Sequence, residues 1–145
     1  MSKLETNTNI LNMLSLIDID NSNNIDRTIK NKIIDGTITE YSNEYITSIR
    51  YRAFYYCDSL KSIDLPNVTS IGEDAFYYCY SLSNINLPKV TSIGNNTFYY
   101  CQLLTNINLP KVTSIGYSAF YSCNKLTSID LPNVTSIGNY AFNQC

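Results

Sequence analysis

The chain contains no His and no Trp, and only 15% of its 145 residues are charged. The missing imidazole removes the commonest general base and the commonest neutral metal ligand together, which excludes histidine-dependent catalytic triads and most zinc sites. Ten basic residues against 12 acidic ones give a formal net charge of −2. Phosphate backbones select a basic stripe, so nucleic acid is not an expected partner. No stretch approaches the roughly 18 apolar residues of a membrane helix, and membrane insertion is not expected either. Residues 1–20 also lack the basic start, the apolar run of about 7–15 residues and the small-residue cleavage site of a secretory signal.

What the chain does have is 44% hydrophobic residues, enough to core one domain, together with 13 Tyr and 19 Asn. These residues recur with a fixed step. Ile49, Ile71, Ile93, Ile115 and Ile137 lie 22 residues apart, and the same step links Phe54, Phe76, Phe98, Phe120 and Phe142. Cys57, Cys79, Cys101, Cys123 and Cys145 keep it too, as do Leu60/Leu82/Leu104/Leu126, Ile63/Ile85/Ile107/Ile129, Leu65/Leu87/Leu109/Leu131 and Val68/Val90/Val112/Val134. The unit reads V-T-S-I-G-x-x-A-F-Y-x-C-x-x-L-x-x-I-x-L-P-x, unbroken from residue 46 to residue 145.

A unit of 22 residues cannot close a core alone, so neighbouring units must stack and bury a continuous apolar stripe. Leu-x-x-Ile-x-Leu predicts a short strand that Pro ends, because Pro has no N–H to offer a ladder. Val-x-x-Ile predicts a second short strand. Phe and Cys three residues apart predict one side of a short helical turn. Gly72, Gly94, Gly116 and Gly138 sit between strand and turn, where a positive φ or a close backbone approach is expected; Arg50 takes that place in the first unit. The expected fold is a repeat solenoid with parallel β-sheets and short helical turns, over residues 46–145 in about four and a half repeats.

The run L-P-x-V-T-S-I-G-x-x-A-F-x-x-C-x-x-L resembles the BspA-like, or treponemal-type, leucine-rich repeat family. The resemblance implies a right-handed solenoid and surface proteins that bind host proteins or other cells. It implies no catalytic residues and no cofactor. Display on a cell surface or a virion is the implied location. Thr97 for Ala and Arg50 for Gly depart from the motif. The chain stops at Cys145 inside a fifth repeat, before that repeat's Leu-x-x-Ile strand. Because a solenoid end normally carries a polar cap, an uncapped C-terminal end open to end-to-end association is an expectation.

Residues 1–45 are different material, expected to form a leader and cap with short helices. Ile10, Leu11, Met13, Leu14 and Ile17 fall near helical spacing, residues 25–34 suit a second helix, and residues 36–41 suit an edge strand that starts the stack. The segment Ile-Ile-Asp-Gly-Thr-Ile-Thr-Glu-Tyr ending at Tyr41 resembles leaders of repeat proteins encoded in bacterial phages and prophages. Asp18, Asp20, Ser22, Asn24 and Asp26 alternate as in a calcium loop, but Asn23 and Ile29 stand where that loop needs Gly and a bidentate Glu.

Three columns are candidate sites. The Cys column brings thiols to strand spacing, about 4.8 Å, yet in-register stacking points the Cβ atoms the same way, so free buried thiols are expected rather than disulfides. Tyr55, Tyr77, Tyr99 and Tyr121 form one aromatic column and Tyr56, Tyr78 and Tyr100 another. They suit packing between repeats or a contact surface for a protein or glycan. Asn84, Asn86, Asn106 and Asn108 stand on the polar outer face of the Leu-x-x-Ile-x-Leu strands, which suits solvation or hydrogen bonding to a ligand. No metal, cofactor or catalytic group is expected. The leading function is a non-enzymatic binding or adhesion module for a protein or carbohydrate. The alternative is a structural component of a phage or other assembly, anchored through the N-terminal third.

Overall fold

The computed structural model describes residues 27–145. The helix expected near residues 10–17 and the alternating oxygens of residues 18–26 lie outside the described residues. Helix α1 (Arg27–Ile34) comes first, with Ile29 and Ile33 four apart and buried on one side. It ends at Gly36, whose φ of 81° is the left-handed conformation that glycine adopts freely at a helix end. Every later element is short: β1 (Glu40–Ser42), β2 (Ser48–Ile49), β3 (Ser62–Asp64), β4 (Ser70–Ile71), β5 (Asn84–Asn86), β6 (Ser92–Ile93), β7 (Asn106–Asn108), β8 (Ser114–Ile115) and β9 (Ser136–Ile137).

All pairings are parallel, and each joins residues one period apart, such as Ile63 with Ile85 and Ile93 with Ile115. One sheet has the order β1-β3-β5-β7; the second side of the coil carries the pairs β2-β4 and β6-β8-β9. The first coil already belongs to this ladder. Tyr41 pairs with Ile63, and its ring packs 6.0 Å from that of Phe54. Asn43 takes the place of a core Leu, and its buried amide oxygen accepts from the backbone N–H groups of Tyr45 and Ile46.

The inside is filled by the repeating columns. Phe54, Phe76, Phe98 and Phe120 are fully buried, and their rings stack 4.9, 5.2 and 5.1 Å apart. Such pairs add about 0.5–1.5 kcal/mol beyond area burial. Thr97, in the Ala column, is tolerated at 0% exposure because its hydroxyl donates to the Gly94 carbonyl at 2.9 Å. On the fifth coil Ile137 is 56% exposed.

The turn segment is not a helix, and its hydrogen bonds show why. Odd-numbered amides close local turns: Ala53 N–H donates to the Arg50 carbonyl, Tyr55 to Arg52, and Cys57 to Phe54. Even-numbered amides donate to the next coil instead: Arg52 to Glu73, Phe54 to Ala75, Tyr56 to Tyr77. A helix would use every amide within its own coil, leaving none to bind the stack together. Alternation requires left-handed residues at two places per coil, among them Arg52 (φ 57°), Tyr56 (φ 56°) and Tyr78 (φ 59°). Each costs of order 1 kcal/mol, offset by the bond to the next coil.

At Gly72, Gly116 and Gly138 the glycine column works by close approach, not by positive φ, whereas a Cβ on Gly94 would meet nothing closer than the Glu73 side chain at 3.4 Å. A Cβ on Gly116 would stand 2.7 Å from the Asn95 backbone nitrogen, and one on Gly138 2.6 Å from the Gly116 carbonyl carbon. At Gly72 it would meet the backbone of Arg50 and Tyr51 on the coil before. Among the described residues, no earlier coil lies at the level of Arg50. Its side chain is therefore accommodated.

Candidate functional site

Two exposed ladders bring the candidate residues together, one on the strand face and one on the turn face. On the strand face the amides bind one another. Asn86 Nδ2 donates to Asp64 Oδ1 at 2.8 Å, Asn108 Nδ2 to Asn86 Oδ1 at 3.0 Å, and Asn106 Nδ2 to Asn84 Oδ1 at 2.9 Å. The two rows flank a shallow groove of about 490 Å³ along β3, β5 and β7, floored by Ile63, Ile85 and Ile107.

On the turn face, Tyr55, Tyr77, Tyr99 and Tyr121 are half-buried and stack as a column. Ring centroids are 5.2, 4.8 and 4.9 Å apart, with interplanar angles of 11°, 4° and 11°. Tyr56 and Tyr78, set left-handed by the alternating turn, meet the first column edge-on, as in the 4.4 Å contact of Tyr77 with Tyr78. Burial pushes the Tyr77 and Tyr99 phenols above their usual range, so they stay neutral and donating. Eleven of the 13 Tyr lie in the turn segments 51–58, 73–80, 95–102, 117–124 and 139–145. The charged residues of those segments, Arg52, Asp58, Glu73 and Asp74, all belong to the first two.

A second groove, of about 450 Å³, opens beside the column between Tyr99, Tyr117, Tyr121 and Tyr140. Tyr117 and Tyr140 are 49% and 59% exposed and meet edge-on at 5.7 Å. Neither belongs to a repeating column, so a reading built on periodicity passes over both. At the other end of the column the Arg52 guanidinium lies 4.8 Å from the Tyr51 ring and 4.7 Å from the Tyr55 ring.

The cysteine column is inside and free of disulfides. From the second coil onward the thiols donate to a carbonyl of the preceding coil: Cys79 to Phe54 at 3.0 Å, Cys101 to Phe76 at 3.3 Å, Cys123 to Phe98 at 3.2 Å. The Phe54 carbonyl also accepts the Cys57 N–H, so both its lone pairs are satisfied. Burial pushes the Cys57 thiol up to about 12 and holds Cys79 and Cys101 well above the ordinary range. One expectation needs correction: Cys145 is exposed, because no described coil packs over it. Beside Cys123, its thiol is lowered to about 7. Among the described residues no three His, Cys, Asp or Glu side chains converge as metal ligands would, and no helix is long and apolar enough to cross a membrane.

Solved structures with this geometry are repeat proteins of the same type. The chain is 31% identical to a leucine-rich repeat protein of T. pallidum, at a TM-score of 0.70 over 74% of this chain and 55% of that one. It is 27% identical to a leucine-rich repeat protein from Bacteroides ovatus, at a TM-score of 0.63 over 74% of this chain and 35% of that one. A leucine rich cell surface protein from Faecalibacterium prausnitzii is 26% identical, at 0.50, with 41% of its length covered. The chain thus spans about half or less of these relatives. No curated protein matches it in sequence. The sequence profile of the BspA type leucine rich repeat region matches residues 28–145 in six copies. With that match, the 22-residue phase and the parallel stack, the chain belongs to the BspA-type leucine-rich repeat family.

Proposed function

We propose that the chain is a non-enzymatic binding module that presents its turn face to a macromolecular partner. The observation that carries this reading is the column of stacked, half-exposed tyrosines on rigid turns. Large rings held in place lose little entropy on binding, and Tyr with Asn and Ser is the chemistry of contact surfaces that recognise by shape and hydrogen bonding. The turn segments from residue 95 onward supply that mixture with no charged side chain. Leucine-rich repeats are a fold commonly used in protein binding, which supports a protein as the first partner class and a glycan as the second. Surface location is part of the same proposal, supported by the likeness to the leucine rich cell surface protein from Faecalibacterium prausnitzii.

The test is an array of extracellular-matrix proteins, plasma proteins and glycans probed with three forms of the chain. The parent should bind at least one feature. Joint replacement of Tyr77, Tyr99 and Tyr121 by Ser should abolish that signal while the circular dichroism spectrum is retained. Joint replacement of Asn84, Asn86, Asn106 and Asn108 by Ala should leave it. If the asparagine variant alone loses the partner, the strand face is the site; if the parent binds nothing, the reading fails.

A further inference from the structure

The turn segments can be aligned coil on coil, and the alignment exposes an unfilled copy of a filled site. Position 51 on the first coil corresponds to 73, 95, 117 and 139, and position 55 corresponds to 77, 99, 121 and 143. Both positions are tyrosine on two coils only: Tyr51 with Tyr55, and Tyr117 with Tyr121. On the first coil the residue between them is Arg52, and its guanidinium lies over both rings, at 4.8 and 4.7 Å. On the fourth coil that residue is Ser118, which is buried and too short to reach between the rings. The same ring pair there borders the groove of about 450 Å³.

The next coil adds a second difference. Arg52 Nε donates to Asp74 Oδ2 at 3.1 Å, one period further on. The residue one period beyond Ser118 is Tyr140, which also lines the groove. The fourth-coil copy therefore offers three rings and no carboxylate. The tyrosine column gives the groove a further open surface. Tyr121 stacks on Tyr99, but position 143 is Asn, so no fifth ring continues the column. Ring faces attract weakly hydrated, planar cations, and guanidinium is favoured over ammonium because it stacks as well as attracts.

We propose that the groove between Tyr117, Tyr121 and Tyr140 receives the guanidinium of an arginine side chain from a partner protein. This rests on the binding-module reading and gives it a specific anchor, since Tyr and Arg pair preferentially at the centres of interfaces. The occupant is an arginine because the chain's own first coil fills the equivalent ring pair with one.

The experiment is a two-dimensional amide NMR titration of the full chain with N-acetyl-arginine amide, the lysine counterpart, the neutral citrulline counterpart and maltohexaose. The arginine probe should shift the amides of residues 117–121 and 140 at millimolar concentration, lysine less, and citrulline and maltohexaose not at all. Tyr117→Ser, at an exposed position, should weaken the arginine probe roughly three- to tenfold. Ser118→Arg, which rebuilds the first-coil arrangement at a left-handed residue where Arg52 is already tolerated, should abolish binding. If that variant does not fold, Tyr117→Ser decides alone. Equal shifts from citrulline, shifts from maltohexaose only, or no shift from arginine overturn the proposal. If arginine fails while the tyrosine triple variant still loses its array partner, only the guanidinium assignment falls. An array with no binder removes the underlying reading as well.

Discussion

The strand face and the turn face carry ladders with the same period, but their side chains are left in opposite conditions. On the strand face the backbone pairs as a sheet, and the outward amides bind each other from coil to coil. A ligand there has to compete with bonds already made. On the turn face, half of the backbone amides close local turns, the other half hold the next coil, and the outward rings stack. Stacking covers ring faces and leaves edges, hydroxyls and the column ends to the outside. A regular ladder with satisfied neighbours is thus a poor guide to a binding site. The better guide is the place where the ladder stops.

The two sides of one turn should differ most. Phe98→Ala removes the middle of the buried ring stack and should destabilise by about 3–5 kcal/mol, through lost burial and a cavity. Tyr99→Ala, one residue away on the outer side, should cost about 1 kcal/mol or less, since its ring is half-exposed. Denaturant midpoints measured side by side check this. Equal losses would make the tyrosine column part of the core.

Alkaline pH tests the inner column first, from about pH 8.5 up to the ordinary tyrosine range near 10. A thiol held above its unfolded value of about 8.5 keeps its proton more tightly in the folded state. Its contribution is therefore complete below about pH 8.5 and is lost as pH rises from there toward about 12, the value for Cys57. Over that window each buried thiol should remove about 1.4 kcal/mol per pH unit. With Cys145 replaced by Ser, so that its lowered thiol adds no slope of its own, melting temperature should stay flat from pH 6 to 8 and then fall, and adding Cys101→Ala should make the fall shallower. Cys145 stands apart: iodoacetamide should label it in the native chain with half-maximal rate near pH 7, while the other four react only after denaturation.

The period, the parallel stack and the inward columns were legible in the sequence because each recurs without an indel. The glycines were half legible. Their position was clear, but whether they served φ or approach depended on the neighbouring coil, which only three dimensions supply. A smaller effect tests that. Gly116→Ala should cost about 1–3 kcal/mol, since its Cβ would press into backbone. Gly94→Ala should be nearly neutral, because its nearest contact is the flexible Glu73 Cγ at 3.4 Å. The thiol-to-carbonyl bonds were not legible, because a buried Cys reads as a small apolar residue until its carbonyl partner is seen. Tyr117 and Tyr140 were missed for another reason. Periodic reading collects what repeats, and these residues matter because they interrupt the pattern.

The smallest effect is the most local. The sheet β1-β3-β5-β7 stops at Asn106–Asn108, although the fifth coil continues in register elsewhere. There β9 pairs with β8, and the Phe120 N–H donates to the Ala141 carbonyl at 2.7 Å. The amide row explains the break. Asn86 donates back to Asp64, and Asn108 donates back to Asn86, so each amide spends one of its two N–H groups toward the preceding coil and the Asn108 oxygen is not used along the row. The next residue in the row is Asp130, another acceptor. Flipping both amides would turn a donor toward Asp130 and an oxygen toward Asp64, and flipping Asn108 alone would set two amide oxygens against each other. With an acid at each end and two amides between, a row that spends one N–H per amide leaves one step without a donor, and the strand is missing at that step. Asp130→Asn supplies a donor at that step. It should extend the parallel sheet to residues 128–130 and stabilise by about 0.5–1 kcal/mol, the size of one net hydrogen bond. Slower amide exchange at residues 127–130 with a small rise in melting temperature would register it. Unchanged exchange there would place the cause of the break in the fifth coil's exposed position and not in the direction of the amide row.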